Sequence, residues 1–229
     1  YINNKKIIEV AKLKQKKYRQ NNKEFLVEGY HLIEEAYKAK VLKTIFFIDN
    51  NPYNEIENYQ VNEQIIAKLS EVENNQGIVG VCEIKTEQKL SKKILLLDRI
   101  QDPGNMGTLI RSAIAFDYKT VVIDQSVVIR ATHGAIFGVS IIEKTIDSFI
   151  KKNNDYYFLA TNLNSENYLE DLIIKSSKFG LILGNEGNGV RSNLIDLANS
   201  DVKIKMDIME SLNVSVAGSI LMYKIKVGG

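Results

Sequence analysis

The feature that most constrains the fold is a repeated order of apolar run, polar loop and helix-like segment in the second part of the chain. The run ILLLD at 94–98 is continuously apolar, as in parallel strands that are buried on both faces. The segment at 106–116 places apolar residues on one helical face. Further strand-like runs occupy 120–124, 156–161, 181–184 and 202–206, and a terminal helix is predicted over 213–227. This order predicts an α/β fold with a mostly parallel sheet.

The first part of the chain alternates in the same way but is shorter and more polar. Its patterns predict a helix over 5–19, strands at 25–29, 44–49 and 77–84, a helix at 31–39, and a helix or strand at 65–70. A polar, charged segment follows at 85–93. We therefore predict two domains, 1–88 and 89–229, within a length of 229 residues.

Composition excludes several classes of protein. The single cysteine, Cys82, allows no intramolecular disulfide, which favours a reducing compartment such as the cytoplasm, and its apolar neighbours predict a core position. No apolar run reaches the roughly 18 residues of a membrane span, and no signal peptide is expected. The two histidines, His31 and His133, lie far apart in sequence and are interpreted as structural, so no metal site is expected.

Positive charge is concentrated at the start of the chain although the net charge is only +2. Residues 1–30 contain eight basic and three acidic side chains, a local excess of five positive charges. Such a cluster can bind nucleic-acid phosphates, or it can simply be the solvated face of a helix. Charge alone does not decide between these two interpretations.

Three predicted strands are followed by loops rich in Gly, Asn, Ser and acidic residues. These loops are RIQDPGNMGTLIRSA at 99–113, NEGNGV at 185–190 and DIMESLNVSVA at 207–217. Ligands of open α/β sheets bind beyond the carboxyl ends of the strands. Three such loops in one domain therefore predict a binding pocket.

The glycine spacing of the second loop does not match a nucleotide-binding motif. Gly184, Gly187 and Gly189 form GxxGxG, which is neither the dinucleotide GxGxxG nor a P-loop. Glu186 would repel phosphate, so a cationic ligand or ribose hydroxyls fit this loop better. A plain turn with left-handed glycines is the other interpretation.

Taken together, the three loops resemble the motifs of a known enzyme family. N-x-G-x-x-x-R at 105–111, L-G-N-E-G at 183–187 and E-S-L-N-V-S-V-A at 210–217 resemble those of the SpoU/TrmH RNA ribose 2′-O-methyltransferases, of the SPOUT superfamily. RATHGAIF at 130–137 resembles a further block of that group. The stretch from VEG at 27–29 to NNQGIVGV at 74–81 resembles a small substrate-binding domain of ribosomal-protein L30e type.

This resemblance implies a fold, a cofactor and a reaction. The C-terminal domain would form a deep trefoil knot, an exception to the rule that chains do not knot. S-adenosyl-L-methionine would donate a methyl group to a ribose 2′-hydroxyl of RNA, with ribosomal RNA favoured over transfer RNA. The enzyme would act as a homodimer, with RNA contacting both subunits, and without metal or membrane.

The resemblance also implies site residues. Arg111 would be catalytic, either as the base or by binding phosphate and stabilising the developing alkoxide. The other expected catalytic residues are Asn105, Glu186, Ser211 and Asn213, and Ser211 or Asn213 is expected to cap the last helix. Expected cofactor-binding residues are Leu183, Gly184, Asn185, Gly187, Ile204, Met206 and Leu212.

The chain departs from the family pattern at several positions. The 124–130 connection is shorter than usual, Lys205 replaces a usual Pro, and one residue is missing in the third motif. The short connection leaves open whether RNA binding or activity is impaired. A non-catalytic RNA-binding or ribosome-assembly protein therefore stays an alternative, while a nucleotide-binding enzyme is disfavoured by the glycine spacing.

Overall fold

The structure is a computed structural model that describes residues 4–84, 89–125 and 138–225. The chain divides into two compact units, Tyr1–Gln88 and Lys89–Gly229. The 130–137 block, His133 and most of the 124–130 connection lie outside the described residues, as do residues 226–227 of the predicted last helix.

The first unit is a four-stranded sheet with helices packed on it. Its strands lie in the order β1-β4-β2-β3, with β2 and β3 parallel and the other two pairs antiparallel. In chain order the elements are α1 (Asn4–Lys12), α2 (Lys16–Asn22), β1 (Glu24–Glu28), α3 (Tyr30–Lys38), β2 (Leu42–Phe47), β3 (Glu57–Gln60), α4 (Glu63–Leu69) and β4 (Ile78–Glu83). The predicted core position of Cys82 on β4 is confirmed, and burial raises the pKa of its thiol.

Two predictions for this unit were wrong or incomplete. The helix predicted over 5–19 is two helices, because the backbone is extended at Gln15 (φ −96°, ψ 134°). The Arg19 guanidinium turns back and donates to the carbonyls of Leu13 (3.0 Å) and Lys14 (2.6 Å). Those carbonyls lie just beyond the end of α1, where backbone groups lack helical partners. The strand β3 was missed because its sequence, ENYQ, is polar and it pairs on one side only.

The second unit is a six-stranded sheet in the order β10-β8-β9-β5-β6-β7, in which every described pair of strands is parallel. The predicted parallel α/β class is thereby confirmed for this unit. Its elements are β5 (Lys93–Asp98), α5 (Pro103–Ala115), β6 (Thr120–Asp124), β7 (Ser140–Glu143), α6 (Ile146–Lys152), β8 (Tyr157–Thr161), a 3-10 turn (Leu169–Asp171), β9 (Phe179–Leu183), α7 (Ser192–Leu197), β10 (Ser200–Val202) and α8 (Val214–Lys224).

The last strand is not where the sequence pattern placed it. The prediction of a strand over 202–206 was wrong, because β10 covers Ser200–Val202 and only a single bridge from Lys203 to Tyr168 continues it. Beyond that bridge, Ile204 and Met206 line a cavity and pair with no strand. The alternating apolar residues of VKIKM, which are Val202, Ile204 and Met206, thus line that cavity. The short elements β7, α6 and α7 were not predicted.

Helices cover both faces of the second sheet. Residues of α5 and α8 pack on one face, and residues of α6 and α7 on the other. The helix α8 lies unusually close to the sheet, since a Cβ added at Gly218 would come within 2.5 Å of both Leu109 and Leu183. This close packing sets α8 against α5 and against Leu183, the last residue of β9.

Candidate functional site

Hydrogen bonds join the three loops that the sequence singled out. Asn213, which precedes α8, donates through Nδ2 to Oδ1 of Asn105 at 3.0 Å. Asn105, in the first turn of α5, donates through Nδ2 to Oε1 of Glu186 at 3.2 Å. Three residues far apart in sequence therefore form one polar chain at the carboxyl end of the sheet.

Glu186 accepts most of the bonds in this chain. Its carboxylate also accepts the backbone N–H groups of Asp102 (3.0 Å) and Gln101 (3.2 Å). Partial burial acts to raise the pKa of Glu186, whereas the hydrogen bonds from Asp102, Asn105 and Gln101 act to lower it. The hydrogen bonds have the larger combined effect, so the pKa lies below its usual value. The carboxylate of Glu186 therefore holds the loop before α5 in place through these bonds.

The loop at 184–190 closes tightly on itself. The backbone groups of Asn185 and Gly189 exchange two hydrogen bonds of 3.1 and 2.9 Å. A Cβ on Gly184 would lie 2.0 Å from the backbone of Gly189 and Val190, so only glycine fits there. Gly189 has a φ of +66°, which favours glycine for a second reason. A plain turn would not require the contact between Gly184 and the backbone of Gly189 and Val190, so this contact favours a loop with a fixed shape.

Asn213, and not Ser211, caps the last helix. Its Oδ1 accepts the N–H groups of Ser215 (2.9 Å) and Val216 (3.4 Å), as an N-cap side chain does. Ser211 is exposed and its side chain lines the nearby cavity. The capped helix end is positive by its dipole, and Asn213 bonds to Asn105 from the same position.

A cavity of about 390 Å³ lies beside this polar chain. The seven residues that the resemblance implied for the cofactor all line it, and so do Glu186 and Ser211. Residues that sequence reasoning missed complete its wall: Thr161, Asn162, Leu163, Asn164, Asn188, Gly189, Val190, Ser192, Ile195, Val202, Lys203, Val214, Ala217 and Leu221. Apolar side chains such as Leu183, Ile204 and Leu212 share this wall with polar ones, and a concave site of this kind can hold and orient a small organic ligand.

Three predicted catalytic residues do not line the cavity. Asn105 is connected to the cavity by its bond to Glu186, which lines it, and Asn213 bonds to Asn105. Arg111 lies on the exposed side of α5, and its side chain makes no hydrogen bond or ion pair with the described residues. Within one chain, the structure brings the loops together but does not bring Arg111 to the cavity wall.

A buried ion cluster lies beneath the loop at 184–190 and was not predicted. Asp98 and Asp124 end the neighbouring strands β5 and β6, and their side chains are 0% and 2% exposed. Arg191 bonds to both carboxylates. A signal for this cluster was present in the sequence, because an acidic residue ends each of two apolar runs, ILLLD and TVVID.

The basic cluster at the start of the chain is partly used within the first unit. Lys6 pairs with Glu57 at 2.6 Å, and Lys12 pairs with Glu9 at 2.7 Å. Lys14 donates to the carbonyl of Ser70 at 2.6 Å. These contacts favour a structural role for part of the cluster and reduce the charge that is left for nucleic acid.

The described part of the chain contains neither a metal-binding cluster nor a membrane-spanning helix. Among residues 4–84, 89–125 and 138–225, no group of three or more His, Cys, Asp or Glu side chains could hold a metal ion. None of the helices described there has the length and apolar character needed to cross a bilayer.

Two family models match the chain. The SpoU rRNA Methylase family matches residues 92–223, and the MRM3-like substrate binding domain matches residues 4–80. A curated relative, the 23S rRNA (guanosine(2553)-2'-O)-methyltransferase RlmP of Bacillus subtilis, is 34% identical and the alignment covers 97% of this chain and 96% of that protein. A putative TrmH family tRNA/rRNA methyltransferase of Staphylococcus epidermidis is 33% identical over 60% of this chain and 61% of its own length.

Solved structures resemble the whole chain. An rRNA methyltransferase from Sinorhizobium meliloti, also solved with bound AdoMet, has a TM-score of 0.80 at 25% identity and covers 98% of this chain and 95% of its own. A putative RNA methyltransferase of the TrmH family from Porphyromonas gingivalis has a TM-score of 0.83 at 23% identity, with 98% of each chain covered. The second likeness supports the fold alone.

Proposed function

The chain belongs to the SpoU rRNA methylase family, and we infer that it transfers a methyl group from S-adenosyl-L-methionine to a ribose 2′-hydroxyl of RNA. It is an S-adenosylmethionine-dependent RNA 2′-O-methyltransferase. The observation that carries this conclusion is the joining of all three motif loops beside one cavity. Ribosomal RNA is the favoured substrate, because the RlmP relative is named for 23S rRNA and aligns over nearly its whole length.

The residues around the cavity fit the cofactor. The volume of about 390 Å³ is within the range of small-ligand pockets, roughly 300 to 1,000 Å³. Leu183, Ile204, Met206 and Leu212 supply apolar wall for a flat base, and residues of the 184–190 loop form another part of the wall. When bound, S-adenosylmethionine supplies an activated methyl group on a positively charged sulfur.

The chain's own residues shape the site for this reaction. Glu186 holds the loops before α5 in place, and Asn105 connects that carboxylate to Asn213 at the start of α8. The Asn213 side chain also caps α8, so it connects the start of this helix to Asn105 and Glu186. We assign Asn105, Glu186, Ser211 and Asn213 to organising the loops around ligand and substrate.

Arg111 is assigned to the RNA. A guanidinium is a cation with five N–H donors and no acceptor, so binding of the neighbouring phosphate and stabilisation of the developing alkoxide are easier roles than accepting a proton. Its exposed side chain on α5 is free of ion pairs with the described residues and can reach a large anionic substrate. Because Arg111 does not line the cavity of its own chain, the substrate or a second subunit must complete the site.

A homodimer fits this requirement. Val216, Ile220 and Tyr223 form an apolar stripe on the outer face of α8, where they are 48%, 38% and 71% exposed. An i, i+4, i+7 stripe of this kind is the face that a helix presents to a partner. We expect sedimentation of the purified protein to give twice the chain mass of 25.9 kDa, and a monomer would contradict the dimer.

Three further features are proposed from the family. The segment between β10 and α8 leaves the edge of the sheet, and α8 packs against the inner strand β9, which supports a trefoil-knotted C-terminal domain. The first unit, which matches a substrate-binding family model, is assigned an L30e-like fold and RNA binding.

A cytoplasmic location follows from an RNA substrate and from the single, buried cysteine.

The decisive experiment supplies RNA from cells that lack the gene. The purified protein and S-adenosylmethionine are added, and ribosomal and transfer RNA are digested and analysed by mass spectrometry for 2′-O-methyl nucleotides. We expect one new methylated nucleotide in ribosomal RNA. Binding of S-adenosylmethionine with no methylation of any RNA would overturn the reaction. Absence of binding by calorimetry would instead favour a non-catalytic RNA-binding protein that retains the fold.

A further inference from the structure

The residue that follows the cavity loop directs its side chain away from the cavity. Val190 and Ser192 line the cavity, whereas Arg191 between them does not. The Arg191 side chain is 29% exposed and contacts Asp98 and Asp124 at the ends of β5 and β6. Arg191 therefore connects the cavity loop directly to the ion cluster.

The two carboxylates require a cation. Asp98 and Asp124 are directly opposite each other in the register of β5 and β6, and both are almost fully buried. Neighbouring like charges destabilise a pair of strands, and a buried carboxylate without a partner is costly. A cation that bonds to both carboxylates offsets the repulsion between them at this edge of the sheet.

Arg191 meets this requirement with its planar side chain. Its Nε donates to Oδ1 of Asp98 at 2.8 Å while Nη2 donates to Asp124, and its backbone N–H donates to Oδ2 of Asp98 at 2.9 Å. A guanidinium can bond to two acceptors in different directions, whereas an ammonium is a compact point charge. Arg99 adds weaker support, with Nη2 at 3.3 Å from the carbonyl of Gly189 and Nε at 3.3 Å from Asp98.

These bonds set the position of the C-terminal end of the cavity loop. The chain at Gly189 and Val190 lies so close to Gly184 that a methyl group could not be inserted between them. A displacement of Arg191 would therefore move backbone that lines the cavity. Its guanidinium does not line the cavity, so its effect on the ligand must pass through the loop.

We propose that Arg191 is a positioning residue, which holds residues 184–190 in the shape that binds S-adenosylmethionine by bonding to the buried carboxylates of Asp98 and Asp124. The proposal rests on the proposed function, because it names the residue that shapes the same cofactor site. Arg191 acts through the loop and takes no part in methyl transfer.

The test is Arg191→Lys, which keeps the positive charge but not the planar pair of donors. We expect the Kd for S-adenosylmethionine, measured by calorimetry, to rise at least tenfold, and KM for the cofactor to rise with it. We expect kcat at saturating cofactor to stay within threefold, since Arg191 does not touch the reacting groups. Ile94→Val, a core change at the other end of β5, is the control that lowers stability without changing the Kd.

A lower melting temperature with an unchanged Kd in Arg191→Lys would overturn the inference, because the ion cluster would then serve stability alone. If Arg191→Lys does not fold, Asp124→Asn decides, since it keeps the shape of the side chain and removes one charge from the cluster. We expect a Kd about threefold higher in Asp124→Asn, and an unchanged Kd would overturn the inference. Failure of the unaltered protein to bind S-adenosylmethionine would instead overturn the proposed function on which the inference rests.

Discussion

Replacing Gly184 by alanine is the sharpest available test of the cavity loop. The added Cβ would lie 2.0 Å from the carbonyl carbon of Gly189 and from the backbone nitrogen of Val190. Because real Cβ atoms essentially never approach closer than 3.0 Å, the loop backbone must shift by 1 Å or more. No rotation of a side chain can relieve a contact between a Cβ and backbone.

The shift has a cost in stability and in binding. It strains the two hydrogen bonds between Asn185 and Gly189, which are worth roughly 0.5 to 1.5 kcal/mol each, and overpacking adds roughly 1 to 3 kcal/mol. We expect the free energy of unfolding of Gly184→Ala to fall by about 2 to 6 kcal/mol. A displacement of this size in a positioned site also lowers kcat/KM on the order of 100-fold.

Gly187→Ala is the matched control in the same loop. A Cβ there would meet only Oδ1 of Asn185, at an ordinary 3.6 Å. We expect its stability to stay within about 1 kcal/mol of the unaltered protein. Both variants are measured by urea unfolding with circular dichroism, since the chain has no tryptophan, and by calorimetry with S-adenosylmethionine. Equal stability and equal Kd for Gly184→Ala and the unaltered protein would refute the reasoning.

Three further predictions concern separate parts of the molecule. Arg111→Ala should abolish methyl transfer while the Kd for S-adenosylmethionine stays within about fivefold, and loss of cofactor binding would show that Arg111 has been misplaced. Asn213→Ala should lower the free energy of unfolding by about 1 to 2 kcal/mol through loss of the cap on α8, and Asn213→Asp should restore most of it; equal unfolding of both variants would contradict the cap. Hydrogen bonds from Lys6, Tyr59 and Thr44 lower the pKa of Glu57 to about 2. Its contribution to stability should therefore be complete above about pH 4.5 and be lost as the pH falls towards 2, so Glu57→Gln should flatten the acid limb of the unfolding curve, and an unchanged limb would contradict the pairing.

Local patterns were sufficient for much of the fold. Continuous apolar runs located β5, β6, β8 and β9 because strands buried on both faces need apolar residues throughout. The short edge elements β3 and β7 escaped prediction, because an edge strand with few ladder bonds carries little pattern. The prediction at 202–206 was wrong because a cavity wall and a strand can show the same apolar alternation.

The sequence by itself located the strands β5, β6, β8 and β9, the helices α5 and α8, and three polar loops, because periodicity and glycine are local properties of the chain. Only the tertiary structure decided that Asn213 bonds to Asn105, that Asn105 bonds to Glu186, and that Arg111 lies outside the cavity of its own chain. The buried Asp98 and Asp124 are the clearest case. Their partner Arg191 is 93 residues from Asp98 in sequence, and only the parallel register of β5 and β6 and the return of the cavity loop bring the three charges together.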